Sequence, residues 1–297
     1  MFRFLPSLFV TLAICLSTFA SAEEVSIKPN NLRLNANLLL SEESGFSTVV
    51  LITHGTLAHN GMEIIDSWQS LLTDEGISSL AINLSLGQDN RHGMYDCSSR
   101  HTHKHTDAIE EIHHWIQWLK SKGSKQIILA GHSRGGNQSA WYLSEYQEPA
   151  IQALILLAPQ TWDQQTEASA YKSRYQVELK PLLDNAAELS GDSVLSKVDF
   201  IYCEDAEVYL ESFVSYYQPD SRLDTPTLLR SETTPTLVIA GSEDTTVPAL
   251  EEKIHAINNK NVQVVEIEGA DHFFRDLYMD EVIEHSIEFM DTLSSND

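Results

Sequence analysis

Basic residues are scarce in this chain. Lysine and arginine number 19 against 43 aspartates and glutamates, a formal net charge of −24. That balance speaks against a phosphate-backbone partner, which needs clustered Lys and Arg, and against docking on anionic lipid. Past the N-terminus no run approaches the roughly 20 apolar residues that span a bilayer. Internal repeats and low-complexity tracts are missing too, so no repeat architecture is expected. Cysteine occurs only three times in 297 residues. What is plentiful is apolar side chain, 42% of the total, enough for a sizeable core and against global disorder.

Residues 1–22 read as an address. Arg3 gives a short positive start, residues 5–20 carry no charge, and Ala20-Ser21-Ala22 places small residues at −3 and −1 before Glu23. This is the pattern of a secretory signal peptide cut after Ala22, leaving a secreted or periplasmic chain of residues 23–297 with no stable membrane anchor. Cys97 and Cys203 then remain, either paired in an oxidising compartment or as two buried thiols.

Residues 24–41 alternate loosely, as one or two edge strands would. A regular rhythm follows. Strands are expected at 48–53, 77–84, 126–130 and 151–158, separated by helices at 62–75, 107–122 and 136–146. The rhythm breaks over about 160–231 and resumes with strands at 236–240 and 262–267 and helices near 249–258 and 278–293. Strands apolar on both faces and separated by helices imply a mostly parallel sheet covered on both sides, an α/β fold. The interruption is too long to be a structureless loop, so a largely helical cap insertion is expected over the carboxyl ends of the strands, where ligands bind. Its many aromatic residues would mostly pack its own small core.

Gly131-His132-Ser133-Arg134-Gly135 lies between an expected strand and an expected helix. In that context G-x-S-x-G is a nucleophile elbow: a strained turn lifts the serine hydroxyl above the sheet, and glycine flanks it because side chains would collide. Here the chain resembles the α/β-hydrolase family of serine esterases and lipases, from about residue 49 onward. His54-Gly55 ends the matching third strand. Gly241-Ser242-Glu243-Asp244 follows the next-to-last strand and Gly269-Ala270-Asp271-His272-Phe273 the last.

The resemblance implies Ser133 as nucleophile, His272 as base and Asp244 as the acid that orients it, with Glu243 or a residue after Pro159 as alternatives for the acid. It implies backbone N–H donors from Arg134 and Thr56 for the oxyanion, with Leu57 as the alternative to Thr56. It implies no cofactor and no metal. The expected reaction is cleavage of a small-molecule carboxylic ester through an acyl-enzyme. The same triad also serves peptidases, lactonases and thioesterases, and a non-catalytic binding protein would keep the fold.

One segment stands outside that scheme. His92, His101, His103 and His105 lie near Cys97, and imidazole with thiolate is zinc chemistry. The spacing matches no standard zinc pattern, so a polar loop at the pocket mouth is the simpler expectation.

Overall fold

The computed structural model describes residues 22–294. The expected signal peptide therefore lies, but for Ala22, outside the described residues. A hairpin opens the fold: β1 (Glu23–Ile27) and β2 (Leu34–Leu39). Next come β3 (Thr48–Thr53), α1 (Glu63–Asp74), β4 (Ser78–Asn83), α2 (Asp107–Ser121), β5 (Gln126–His132), α3 (Arg134–Glu145) and β6 (Ile151–Leu157). An insertion follows, holding α4 (Gln164–Tyr175), α5 (Leu179–Glu188), β7 (Val194–Phe200), β8 (Cys203–Tyr209), α6 (Leu210–Tyr217) and α7 (Thr225–Leu229). The chain then returns through β9 (Thr236–Gly241), α8 (Leu250–His255), β10 (Val262–Ile267) and α9 (Leu277–Ser294).

The eight-stranded sheet has the order β1-β2-β4-β3-β5-β6-β9-β10. β4 to β10 run parallel across the sheet, and β1 and β2 join antiparallel. Only β1 is an edge of that end; β2 lies one strand inside, between β1 and β4. The strands are apolar on both faces because both are covered. In β3, Val49 and Leu51 pack with Ile112, Trp115 and Ile116 of α2, while Val50 and Ile52 pack with Ile65 and Trp68 of α1 and Val282 of α9. Alternation with period two thus sends successive residues of one strand into two cores. The parallel strands all end on one side, which brings the turns after β3, β5, β9 and β10 together. Among the described residues no helix is long and apolar enough to cross a membrane.

The insertion is helical over most of its length but also contains a two-stranded antiparallel ribbon, β7–β8. Phe200, Phe213, Tyr216 and Tyr217 are buried, but in one cluster continuous with the α2 side of the sheet, where a separate small core was expected. The histidine segment is a solvated loop only in its first half, where His92 is exposed and 2.8 Å from Glu24. His101, His103 and His105 are wholly buried beneath this insertion. His101 bridges to Val208 of β8, and its ring packs 4.9 Å from that of Phe200. His103 Nδ1 is 2.8 Å from the Tyr216 hydroxyl. Among the described residues no group of three or more His, Cys, Asp or Glu side chains is placed to hold a metal ion.

Cys97 and Cys203 are joined by a disulfide, Cα–Cα 5.3 Å, which fastens the histidine segment to β8. A cross-link closing so long a loop contributes about 4–5 kcal/mol in the chain-entropy model. Cys97→Ser with Cys203→Ser is expected to lower the thermal midpoint by about 10 °C. Free-thiol mapping of unreduced, denatured protein is expected to find neither cysteine; two reactive thiols would contradict the bond.

Candidate active site

Ser133 sits between β5 and α3 at φ 56° and ψ −123°. This left-handed backbone region disfavours every residue but glycine and costs about 1–3 kcal/mol. The surroundings hold it there. The Ser133 amide donates to Leu157 O at 2.9 Å, and its carbonyl accepts from Gly136 and Gln160 amides, each at 3.0 Å. A Cβ on Gly131 would stand 2.5 Å from Gly135 O, and one on Gly135 would strike the carbonyls of Thr53 and His54. Glycine at these two positions is therefore a steric requirement of the turn.

The turns after β9 and β10 are cross-bonded. Ser242 N donates to Ile267 O at 3.1 Å, Glu243 N to Ala270 O at 3.0 Å, and Gly269 N to Ser242 Oγ at 2.8 Å. A Cβ at Gly241 would lie 2.5 Å from Ala270 O, so the close approach depends on glycine. The result is a short contact between His272 Nδ1 and Asp244 Oδ2, 2.7 Å, with both residues buried. The other carboxylate oxygen accepts the amides of Thr246 at 2.7 Å and Val247 at 2.9 Å. Burial pushes the Asp244 carboxyl up, but His272 and these amides outweigh it and hold the group below its usual range. An ionised Asp244 accepts a hydrogen bond from Nδ1–H, which leaves the lone pair on Nε2 free. Glu243, the rival acid, is exposed.

His132 braces this imidazole. Its Nε2 donates to His272 O at 2.9 Å, and the two rings lie 4.8 Å apart. Ser133 and His272 line one cavity of about 280 Å³. Thr56, Met94, Tyr202 and Phe273 form other parts of its wall, and no charged side chain does among the described residues. Met94 and Tyr202 are 58% and 54% exposed, so two large apolar side chains stand at its mouth. The disulfide joins the segments that carry them. Among the described residues the Ser133 hydroxyl makes no hydrogen bond; contacts of this kind often tighten only with substrate bound.

The loop after β3 is held from behind. His54 Nδ1 donates to Gly55 O at 2.9 Å, and its Nε2 accepts from Leu84 N at 3.1 Å and lies 3.2 Å from Arg91 Nη2. Arg91, itself buried, also donates to Ala58 O and Asn83 Oδ1, both at 2.8 Å. Thr56 lines the cavity, whereas Leu57 turns its side chain into the core. The amides of Thr56 and Arg134 meet no protein acceptor among the described residues. Sequence reasoning did not single out Arg91 or His132. The second is the variable position of the elbow motif, where no residue type is demanded; the first lies in a polar stretch that reads as loop.

Burial depresses seven histidines, His59 and His114 among them, and five of the shifts are large. His54, His103 and His132 fall to about 3, His101 to about 4, and His105 well below its usual range. Glu111, buried against Ser85, is raised by burial to about 7. Unfolding restores ordinary values, so between about pH 6.5 and 4.5 the unfolded chain binds more protons at the histidines and fewer at Glu111. The five large histidine shifts outweigh that of Glu111 and the smaller upward shifts of Asp66, Asp107, Glu167 and Glu266, so the unfolded state is the stronger proton binder. The histidine contribution is present above pH 6.5 and is lost as pH falls. Denaturant titrations at pH 7, 6 and 5 are expected to give steadily falling stability, and a flat profile would contradict the burial of these rings.

Residues 48–276 match the family model described as alpha/beta hydrolase fold. No curated protein matches the chain. Several solved structures do. Est1E from Butyrivibrio proteoclasticus aligns at TM-score 0.64 and 19% identity, over 90% of this chain and 98% of its own. The Pyrococcus furiosus esterase Pf2001 aligns at TM-score 0.60 and 20% identity, over 92% and 90%. The alpha/beta hydrolase GrgF from Penicillium sp. sh18 aligns at TM-score 0.64 and 15% identity, over 91% and 97%. At such identities the similarity to these structures is one of fold. With the sheet order, the turn after β5 and the family match over most of its length, this chain belongs to the alpha/beta hydrolase fold family.

Proposed function

We propose that the protein is an exported serine hydrolase that cleaves a carboxylic ester through an acyl-enzyme on Ser133. The observation that carries this reading is one cavity lined by a serine on a strained strand–helix turn and by an imidazole bonded to a buried carboxylate. In the reaction, Ser133 Oγ attacks the ester carbonyl carbon while His272 Nε2 takes the hydroxyl proton. The carbonyl electron pair moves onto oxygen, where the amides of Thr56 and Arg134 and the N-terminus of α3 stabilise it. The tetrahedral intermediate collapses, and the alcohol leaves with the proton from His272. Water, deprotonated by the same imidazole, then attacks the acyl-enzyme, and the serine recovers its proton as the carboxylic acid departs. Asp244 holds one tautomer throughout and stabilises the imidazolium.

Export is supported by the N-terminal pattern and by the Cys97–Cys203 disulfide, which suits an oxidising compartment. The substrate's character follows from the cavity wall. It carries no Asp, Glu, Lys or Arg at the described positions and mixes apolar side chains with neutral polar ones, and the whole chain is strongly acidic. A small, neutral ester suits both, because a charge would have to be desolvated without a partner.

Wild type is expected to hydrolyse short p-nitrophenyl esters and to react with a fluorophosphonate probe. Ser133→Ala is expected to lower kcat/KM by at least about 10⁴-fold and to abolish labelling. Full labelling of that variant would overturn the assignment. A panel of esters, thioesters, lactones and amides distinguishes this activity from others of the same triad. Within it p-nitrophenyl butyrate is expected to outpace the p-nitrophenyl monoester of succinate; the reverse order would sink the neutral-substrate reading.

A further inference from the structure

Arg134 follows the serine, and its side chain is built into the protein. Its Nε donates to Thr56 Oγ1 at 2.9 Å, and Nη1 donates to His105 Nδ1 at 3.1 Å. The guanidinium carbon lies 5.0 Å from the centroid of the Tyr216 ring, within cation–π range. Each anchor is itself fixed. Asn137 spends its Nδ2 protons on Arg222 O and Thr225 Oγ1, so its Oδ1 faces His105 Nε2 at 2.9 Å and accepts from it. His105 must then carry its proton on Nε2 and offer Nδ1 as an acceptor, which is what Arg134 requires. Burial first, and the Arg134 charge second, keep that ring neutral. Tyr216 is buried, with its hydroxyl on His103.

We propose that the Arg134 side chain is a positioning group that couples the two amides of the oxyanion hole. Its own backbone N–H is one donor, and its guanidinium holds Thr56, the bearer of the other. The proposal rests on the serine-hydrolase reading above. Two donors on separate loops stabilise an oxyanion only if both aim at one point, and the loop after β3 has no secondary structure to fix its aim. A planar guanidinium bonded to Thr56 on one side and to a buried, locked imidazole on the other supplies that fixity. Stacking on Tyr216 extends the connection to the insertion.

The test is a double-mutant cycle on p-nitrophenyl butyrate turnover. Arg134→Met keeps the backbone amide and the apolar stem, and Thr56→Val keeps the amide and the branched shape while removing Oγ1. Each is expected to lower kcat about 10- to 100-fold, with KM changed less than about threefold. The double variant is expected to be no slower than the worse single one, because both remove the same link. Losses that multiply, or wild-type kcat in either single variant, would overturn the proposal. Thermal midpoints report folding, and Thr56→Val alone decides the matter if Arg134→Met does not fold. Failure here leaves Ser133→Ala inactive, whereas failure of the serine-hydrolase reading leaves Ser133→Ala active.

Discussion

Ser133 occupies a backbone region that a serine alone would abandon, and the geometry of the site depends on keeping it there. The turn survives because β5 runs into α3 with no room for any other path. Gly131 and Gly135 approach neighbouring backbone more closely than any side chain allows, and the Ser133 carbonyl is bonded both to α3 and to Gln160 at the start of the insertion. The strain is thus distributed over a buried parallel sheet that is fixed on both faces. Relaxing the turn would require β3, β5 and the chain after β6 to move together.

The same economy of packing extends to the loop after β3. It has no ladder of its own, so it borrows fixity from side chains. His54 and Arg91 hold it from beneath, Tyr95 N donates to Leu57 O at 3.1 Å, and Arg134 reaches it from the elbow. Two of these partners, Arg91 and Tyr95, belong to the segment that Cys97 ties to β8, which also carries His101, His103 and His105. Insertion, histidine segment and loop form one continuous set of contacts around the cavity. On the proposed reading, the parts that would select the substrate and those that would aim the oxyanion donors are therefore one packed unit.

Much of this was legible in the sequence, and the reasons differ by residue. The elbow was legible because its steric demands act within five residues. Asp244 and His272 were singled out through the family resemblance, helped by apolar runs that mark the ends of the strands before them. The rhythm of 48–158 placed strands and helices within two residues of their observed bounds. The ribbon β7–β8 was not separated from the helices around it, since its alternation is broken by irregular register at Ser196 and Val198. The pairing of Cys97 with Cys203 is a contact across 106 positions, and no local pattern encodes it. The histidines misled for a similar reason. Alternating with Thr102 and Lys104 they resemble a solvated loop, and their burial is created by an insertion whose chain lies some hundred positions further on.

Two arginines stand behind the site, Arg91 buried and Arg134 half-buried. The choice has a physical basis. Arg91 serves Leu84 O, Gly93 O, Ala58 O and Asn83 Oδ1 at once, and Arg134 serves Thr56 and His105 while stacking on Tyr216. A rigid planar fork can meet several acceptors at fixed angles, whereas a lysine ammonium would need more reorganisation for fewer bonds. Each arginine bonds to a neutral imidazole, His54 or His105, and the carboxylates near them, Glu111 by Arg91 and Glu167 by Arg134, make no direct ion pair with them. A carboxylate there would set a negative charge beside the position where the oxyanion develops and oppose it through a low dielectric. Neutral acceptors hold the cations in place without that penalty, so on the proposed reading the buried histidines that stabilise the fold above acidic pH also add no negative charge behind the oxyanion.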